Sequence, residues 1–272
     1  MRSTLVTSCV FAGLIASRAL SQQFSDGTFL DSKWSATKLV DTTPSTDALF
    51  SGIRGSGGNP GDCRTIAHNW QVVPAGVSIT IGHSWNSITH TPANLAGIQS
   101  IAVSLDARCD SAPNVNAIGF GPLLVQGGKQ FAAAGFAAIA GNSWAHFEAS
   151  VQPSDWNEIG GNAKPDFSAG AAPFVLGFYS SNGGSGFNAR ISSAGRVDNF
   201  VVRIIRSCPA DLNSDNFVED SDFTLFAGAY NILDCADPAM AAGCPADLNF
   251  DNLVDDSDFV IFVGAYNELL CP

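Results

Sequence analysis

Residues 208–235 are repeated, 36 positions later, as residues 244–271. The two stretches, CPADLNSDNFVEDSDFTLFAGAYNILDC and CPADLNFDNLVDDSDFVIFVGAYNELLC, match at 20 of 28 aligned positions. The matches keep Asp, Asn, Asp and Asp at positions 1, 3, 5 and 12 of a twelve-residue loop. Oxygen side chains at alternate loop positions, followed by a carboxylate where a helix begins, are how a chain surrounds a hard cation such as Ca²⁺. The duplication therefore predicts a small module that folds around two calcium ions.

The predicted ligands occupy equivalent positions in both loops. The first loop offers Asp211, Asn213, Asp215, the carbonyl of Phe217, and Asp222. The second offers Asp247, Asn249, Asp251, the carbonyl of Leu253, and Asp258. Position 9 is Glu219 or Asp255, which can ligate directly or through water. Position 6 calls for a positive φ and is Asn216 or Asn252, the residue type that tolerates this conformation best after glycine.

Apolar residues complete each repeat. Position 8 is Val218 or Val254, which we expect to form a short β-bridge between the two loops. After each loop, apolar side chains recur at helical spacing and are expected to form a core; they are Phe223, Phe226, Ala227 and Tyr230, and Phe259, Phe262, Val263 and Tyr266.

The charge distribution agrees with a cation-binding module. Of the 25 acidic residues, 13 lie in residues 208–272, which contain no Lys or Arg, so the body before them is almost neutral. Like charges at this density repel one another, and two bound calcium ions would relieve much of that repulsion. The acidity argues against nucleic acid and against an anionic membrane surface as partners, because both require clustered bases.

The N-terminus reads as an export signal. Arg2 precedes an apolar stretch over residues 5–16, and Ala19-Leu20-Ser21 forms a small-x-small cleavage site ahead of Gln22. No other segment approaches the roughly 20 apolar residues that a membrane-spanning helix needs. We therefore expect residues 1–21 to be a signal peptide and the mature product to be secreted, or held at the cell surface, without spanning the membrane.

Six cysteines remain after the predicted signal, an even number that favours disulfides in an exported protein. Four of them bound the two repeats and allow three pairings. A two-fold arrangement with antiparallel helices favours Cys208–Cys271 with Cys235–Cys244, and pairing within each repeat is the alternative. Cys63 and Cys109 are left to pair within the body.

Residues 22–206 predict an all-β sandwich. Gly, Pro, Ser and Asn interrupt short alternating apolar stretches, which is typical of antiparallel strands joined by turns. The clearest strands are residues 77–81, 101–109, 144–151, 174–178 and 200–205. The Ala-rich stretch 131–140 is compatible with a strand or with one short helix.

Catalytic signatures are sparse in this body. It has no G-x-S-x-G, H-E-x-x-H or G-x-G-x-x-G motif and only two glutamates, Glu148 and Glu158. Glu148 with Glu158 or Asp155 is the one carboxylate pair that a glycosidase could use. Because surface carboxylates are the commoner explanation for such residues, an enzyme is the less favoured interpretation.

A candidate sugar surface lies in the strand over residues 144–151. Trp144, His146 and Glu148 alternate and therefore share one strand face. An exposed Trp beside a His and a carboxylate suits sugar stacking and hydroxyl binding; the alternative is that Trp144 packs under a loop. The four histidines of the chain lack metal-ligand spacing and are expected at solvated or hydrogen-bonded surface positions.

The C-terminal repeats resemble a known family. A twelve-residue loop followed directly by one helix, present twice and opened here by Cys-Pro-Ala-Asp, resembles type I dockerin modules and their GC-type variant. The resemblance implies calcium-dependent, non-catalytic docking onto a cohesin-like domain or another surface protein. It also implies that the partner contacts Asp220, Ser221, Asp256 and Ser257, at loop positions 10 and 11.

The ends of the body resemble jelly-roll carbohydrate-binding and concanavalin-like domains. The matching segments are FSDGTF at residues 24–29 and VDNFVV at residues 197–202. This resemblance implies adjacent first and last strands, carbohydrate binding, and a further calcium ion held by Asp26 and Asp198.

The sequence thus favours an exported, non-catalytic protein with a jelly-roll-like sandwich at residues 22–206 and a dockerin-like, paired EF-hand-type module at residues 207–272. The module would bind two calcium ions and mediate attachment, and the body would bind polysaccharide. The alternatives are a polysaccharide-degrading enzyme with the same anchor, and a C-terminal module that has only a structural role and binds no partner.

Overall fold

The structure, a computed structural model, describes residues 21–43, 49–92, 98–110, 115–168, 170–206, 208, 210–213, 215, 217–249 and 251–268. Residues 1–20 of the predicted signal peptide, Asn216 and Cys271 lie outside the described residues. Within those residues no helix is both long enough and apolar enough to cross a membrane.

Two antiparallel sheets face each other in the body, built in the described residues from thirteen strands: β1 Ser21–Asp26, β2 Trp34–Asp41, β3 Leu49–Gly58, β4 Gly61–Val72, β5 Val77–Trp85, β6 Ile98–Cys109, β7 Ala117–Gln126, β8 Lys129–Ala132, β9 Phe136–Ile139, β10 Trp144–Val151, β11 Asn157–Glu158, β12 Phe174–Gly184 and β13 Ala189–Arg206. The first sheet has the order β10-β6-β13-β4-β3, with β1 also paired to β13. The second has the order β11-β8-β7-β12-β5-β2, with β9 also paired to β7.

This architecture confirms the predicted all-β sandwich, and each of the five predicted strands lies within an observed one. Alternation explains the layering, because every second side chain of a strand points to the core. In β4, Ile66, His68, Trp70 and Val72 are buried, while the three residues that alternate with them are only partly buried. The ambiguous stretch 131–140 contains the end of β8 and all of β9, joined by a short connection rather than forming a helix.

The first and last strands lie side by side, as the sequence predicts. Asp26 of β1 is opposite Phe200 of β13. The carboxylate of Asp26 accepts hydrogen bonds from the backbone N–H of Thr28 and Phe29 and from Trp34 Nε1 at 2.8 Å. Burial opposes ionisation of Asp26, but these hydrogen bonds outweigh it and lower the pKa of the carboxyl.

The second predicted ligand of a body calcium ion, Asp198, is also engaged within the protein. It accepts the backbone N–H groups of Asn59 and Asn199 beside a β-bulge in β13. Both carboxylates therefore serve the strand ends and turns around them. A calcium ion in the body stays a prediction.

A buried polar network crosses the interior between the two sheets. Arg64 Nε lies 3.4 Å from His83 Nδ1, and Ser180 Oγ lies 3.0 Å from His83 Nε2 and 2.9 Å from His68 Nε2. His68 Nδ1 is 2.7 Å from Asn182 Oδ1. One set of donor directions satisfies the whole chain: Arg64 to His83, His83 to Ser180, Ser180 to His68, and His68 to Asn182. Both imidazoles are then neutral, with one donor and one acceptor nitrogen each.

The expectation that the histidines lie at the surface is wrong for three of the four. His68 and His83 are fully buried, and His90 is buried between the rings of Phe24 and Phe174. Burial lowers the pKa of His68 and of His90 to about 4 and holds the pKa of His83 well below its usual value. Each sits at an inward position of its strand or bridge, where strand alternation places it whatever its polarity. Only His146 is exposed.

The expected pairing of Cys63 with Cys109 is also wrong, since both are free buried thiols. Cys63 lies in β4 and Cys109 ends β6, and β13 separates these two strands. Two strand spacings are roughly 9.6 Å, which exceeds the Cα separation that a disulfide can bridge.

The C-terminal module has its own small core. Helix α1 spans Asp220–Tyr230 and helix α2 spans Asp256–Tyr266. Their only fully buried large side chains, Phe226 and Phe262, stack with ring centroids 5.0 Å apart. Smaller buried residues surround this pair, among them Ala210, Val218, Ala246, Leu248 and Val254.

Candidate metal centres and carbohydrate surface

The first loop brings three predicted ligands together. One carboxylate oxygen from each of Asp211, Asp215 and Asp222 lies within 4.8 Å of the others. Asp222, at the third position of α1, accepts the backbone N–H of Asn213 at 2.9 Å and of Glu219 at 3.0 Å. The helix start therefore folds the loop back over its own acidic side chains, as the twelve-residue spacing requires.

The second loop repeats this arrangement with Asp247, Asp251 and Asp258. Asp258 is fully buried and accepts three backbone N–H groups, from Leu248, Asn249 and Asp255. Burial nevertheless raises the pKa of Asp258, and the nearby charge of Asp251 raises it further. A buried carboxylate beside two others is costly unless a cation compensates it. The donor set of six oxygen-bearing acids in two triads thus fits a hard cation such as Ca²⁺.

The remaining predicted ligands shape the loops. Asn213 and Asn249 each accept the N–H two residues on, from Asp215 and Asp251, both at 2.9 Å. The N–H groups of Phe217 and Leu253 in turn bond Asp215 and Asp251. Asn252 has φ 71°, which confirms the positive φ expected at position 6 of the second loop.

The expected β-bridge between the two loops is wrong for the second loop. Val254 donates its N–H to Leu233 at 2.8 Å, and the bridge joins Leu253 to Asp234, in the segment after α1. The segment after α1, rather than the first loop, is therefore the neighbour of the second loop. Val218 and Val254 are instead buried in the module core.

The two repeats are related by an approximate two-fold exchange. Tyr230 of α1 donates its hydroxyl to Asp256 at 2.6 Å, and Tyr266 of α2 donates to Asp220.

Cys235 and Cys244 form a disulfide with a Cα separation of 5.4 Å, which confirms that predicted pair and excludes pairing within each repeat. Cys208 is also disulfide-bonded. Its predicted partner, Cys271, lies outside the described residues.

The predicted partner-binding residues lie at the exposed helix starts. Asp220 and Asp256 accept the two tyrosine hydroxyls described above. Ser221 Oγ is 2.8 Å from Asn213 Nδ2, and the N–H of Ser257 bonds Asp255. These four residues are therefore accessible but already held by contacts within the module.

Apolar side chains are exposed on the module to an unexpected degree. Phe223 and Phe259, predicted as core, are 44% and 39% exposed, because the short helices are covered on one side only. The described residues contain ten exposed large hydrophobic side chains, and seven belong to the module: Phe217, Phe223, Leu225, Leu233, Leu253, Phe259 and Val260. Two of them, Phe223 and Phe259, lie together, with ring centroids 6.5 Å apart.

Sequence reasoning missed one charged residue of the first loop. Arg206, the last residue of β13, is 3% exposed and donates Nη1 to the backbone carbonyl of Asp211 at 2.9 Å. Burial lowers the pKa of Arg206, partly offset by the charges of Asp211 and Asp222. The sequence signal was a basic residue two positions before a repeat whose charged residues are all acidic.

The candidate sugar residues lie on the outer face of β10, an edge strand. His146 and Glu148 are exposed, whereas Phe147 and Ala149, which alternate with them, face the core, as alternation predicts. Trp144 is half-buried, with the guanidinium carbon of Arg108 5.6 Å from its ring centroid. The guanidinium of Arg108 covers one face of the Trp144 ring. Trp144 is therefore neither fully exposed nor packed under a loop.

A polar cluster extends this face across β6. His146 Nδ1 lies 2.7 Å from Asp106 Oδ1, and the amides of Asn59 and Asn199 donate to Asp106 Oδ2. Burial opposes ionisation, but the hydrogen bonds of Asn199, His146 and Asn59 outweigh it and lower the pKa of Asp106. Asp106 itself is buried, so the cluster presents the exposed ring of His146 beside Trp144.

Glu148 and Glu158, one carboxylate pair of the alternative enzyme, lie on different sheets. Glu148 belongs to the first sheet and is 3.7 Å from Arg203, whereas Glu158 belongs to the second sheet. Glu158 pairs with Lys129 at 3.1 Å and accepts the N–H of Ala163 at 2.9 Å. A glycosidase needs both carboxyl groups at one glycosidic bond.

A second aromatic surface escaped the sequence reasoning. Tyr179 in β12 is in register with Gly121 of β7 and Gly82 of β5 on the second sheet. A Cβ at Gly121 would lie 2.6 Å from the Tyr179 ring, so glycine lets the ring lie against the sheet. The sequence signal was the presence of glycines inside these strands, because a glycine leaves room for an aromatic ring from the neighbouring strand.

The chain matches no protein-family model and no curated protein. Solved structures similar in fold include carbohydrate-binding modules. One is the family 11 module from Clostridium thermocellum in complex with a β-1,3-1,4-mixed-linked tetrasaccharide: 12% identity, 68% of this chain, 96% of that chain, TM-score 0.40. Another is TmCBM61 in complex with β-1,4-galactotriose: 10% identity, 65% of this chain, 90% of that chain, TM-score 0.29. These ligands belong to those proteins, and the sites discussed for this chain rest on its own geometry.

Proposed function

We propose that this is an exported, non-catalytic protein whose residues 207–272 bind two calcium ions and attach it to a protein partner or cell surface. The observation that carries the proposal is the pair of carboxylate triads, Asp211, Asp215 and Asp222, and Asp247, Asp251 and Asp258. Each triad is held by backbone N–H groups in a loop that ends in a helix, and each contains at least one fully buried acid. Calcium would add positive charge to both triads.

The attachment role rests on the module's surface. Exposed aromatic and aliphatic side chains lie on a domain whose sequence carries 13 acids and no base. A partner that covers this surface would need apolar pockets rimmed by basic residues, since interfaces combine apolar burial with complementary charge. The dockerin resemblance makes a cohesin-like domain the first partner to test.

Calcium titration of the full chain should reveal two sites that disappear in the double variant Asp211→Asn, Asp247→Asn. At free calcium about 1000-fold above Kd, each site would stabilise the folded module by about 4 kcal/mol. Chelation should therefore lower the melting temperature of the helical signal, and calcium-dependent capture by a cohesin-type domain should be lost.

The matched control is the double variant Asp237→Asn, Glu268→Gln, which removes the same charge from exposed positions outside the triads. It should keep both calcium sites. A wild-type chain with no calcium-dependent heat or change in helicity would contradict the proposal.

A second function, carbohydrate binding by the sandwich, is favoured by the outer face of β10. Trp144 offers an aromatic ring beside the His146–Asp106 pair, an arrangement that can stack on a sugar and bond its hydroxyls. The protein would then hold a polysaccharide with its body while the module attaches it elsewhere.

Replacing Trp144 with Ala should weaken binding to soluble polysaccharide about tenfold, since an aromatic stacking contact contributes on the order of 1.4 kcal/mol. Affinity electrophoresis over a panel of β-glucans, galactans and xylans measures this. Phe187→Ala, which removes an exposed aromatic elsewhere, is the control and should bind normally. Loss of binding in Tyr179→Ala but not in Trp144→Ala would move the site to the second sheet.

A further inference from the structure

The two calcium loops differ in one charged neighbour. Their acidic residues correspond one to one, with Asp211, Asp215 and Asp222 matched by Asp247, Asp251 and Asp258. The position of Arg206, 36 residues later, is Ala242, which is exposed. Residues 208–272 contain no Lys or Arg. The first loop therefore has a resident cation supplied by the body, and the second has none within the module.

Arg206 is fixed where it stands. It ends strand β13, which pairs with β6 as far as Arg206 itself, opposite Ile98. Its side chain is 3% exposed, and its Nη1 bonds the carbonyl of Asp211 at 2.9 Å. The guanidinium cannot swing into solvent when a metal ion enters without breaking this buried hydrogen bond.

We propose that Arg206 makes the first loop the weaker calcium site and ties its occupancy to the sandwich body. The inference rests on the proposed calcium function. Two effects of Arg206 oppose each other: its hydrogen bond organises the loop backbone, and its charge repels the ion. At the effective dielectric that applies to a partly buried site, the repulsion between a unit charge and a divalent ion at close range exceeds the contribution of one hydrogen bond.

The same charge stabilises the first loop before calcium binds. Asp211 and Asp222 have Arg206 as a counter-ion, so the acids of that loop repel one another less than those of the second loop. The expected order is that the second loop fills first and folds around its ion. The first loop is already partly organised against the body and fills at higher calcium.

Calcium titration of the full chain should give two affinities that differ by roughly tenfold. Asp215→Asn should remove the weaker one and Asp251→Asn the tighter one; both residues are exposed, so these variants are expected to fold. Arg206→Gln keeps a side-chain donor but removes the charge, and should bring the two affinities to within about threefold. Arg203→Gln, on the same strand but 42% exposed, is the control and should leave both unchanged.

Each outcome bears on a different claim. Equal affinities in the wild type, or a tenfold gap that persists in Arg206→Gln, overturn the inference alone. If Arg206→Gln does not fold, the two single-loop variants still decide whether the weak site is the first loop. No calcium binding by the wild type overturns the proposed function and this inference with it.

Discussion

Lowering the pH from 7 to 5 should reduce the free energy of unfolding of this protein by about 6 kcal/mol. Three buried histidines cause this, since burial holds the pKa of His68 and of His90 at about 4 and the pKa of His83 well below its usual value. In the unfolded chain they titrate near 6.5. The unfolded state thus binds more protons between these values, and stability falls as the pH falls from 6.5 towards 4.

The size follows from the linkage relation. A histidine whose pKa drops from 6.5 to about 4 on folding loses about 2 kcal/mol of its contribution at pH 5. Three such groups approach the whole stability of an ordinary domain. The hydrogen-bonded network from Arg64 through His83 and Ser180 to His68 leaves no place for an added proton, because every ring nitrogen already has a partner.

Urea unfolding at pH 7, 6 and 5, followed by tryptophan fluorescence, measures the effect. His90→Leu removes one titrating group from a site lined by Phe24 and Phe174, and should reduce the loss between pH 7 and 5 by about one third. Ile101→Val, at a fully buried position of β6, is the control: it should destabilise the body equally at all three pH values. A stability independent of pH over this range would show that the histidines are not buried neutral.

Replacing Phe262 with Ala should unfold the C-terminal module while the sandwich stays folded. Phe262 is 1% exposed and packs against Phe226, and these two are the only fully buried aromatic side chains among the described residues of the module. Truncating a buried Phe costs about 3–5 kcal/mol, which a core of this size cannot absorb.

Circular dichroism at 222 nm reports the result, because both α-helices in the described residues belong to the module. Val260→Ala, at a 70% exposed position of the same helix, is the matched control and should change stability by less than about 0.5 kcal/mol. Full retention of helicity in Phe262→Ala, with and without calcium, would show that the disulfides, rather than the Phe226–Phe262 pair, stabilise the module.

Local patterns predicted the parts of the fold that depend on neighbouring residues. The strands over residues 77–81, 101–109 and 144–151 were evident from alternation, and both helices from the spacing of their aromatic residues. The acidic side chains that form each triad lie within twelve residues, so the loop spacing alone was enough to bring them together. The outward positions of His146 and Glu148 followed from the same alternation.

The errors share a cause. Alternation separates two strand faces but does not say which one is buried when both carry polar residues, so His68 and His83 were placed at the surface. The pairing of Cys63 with Cys109 failed because their strands are not neighbours. The bridge of Val254 failed because its partner, Leu233, follows the other helix and is 21 positions away.

The amino-acid sequence by itself determined the duplicated loops, their carboxylates and the helices that close them, because those features depend on contacts within about a dozen residues. The tertiary structure alone decided that β13 separates Cys63 from Cys109, which histidines are buried, and that Val254 bonds Leu233 beyond the first helix. Such contacts join residues on different elements, and only the packing of the sheets and helices brings them together.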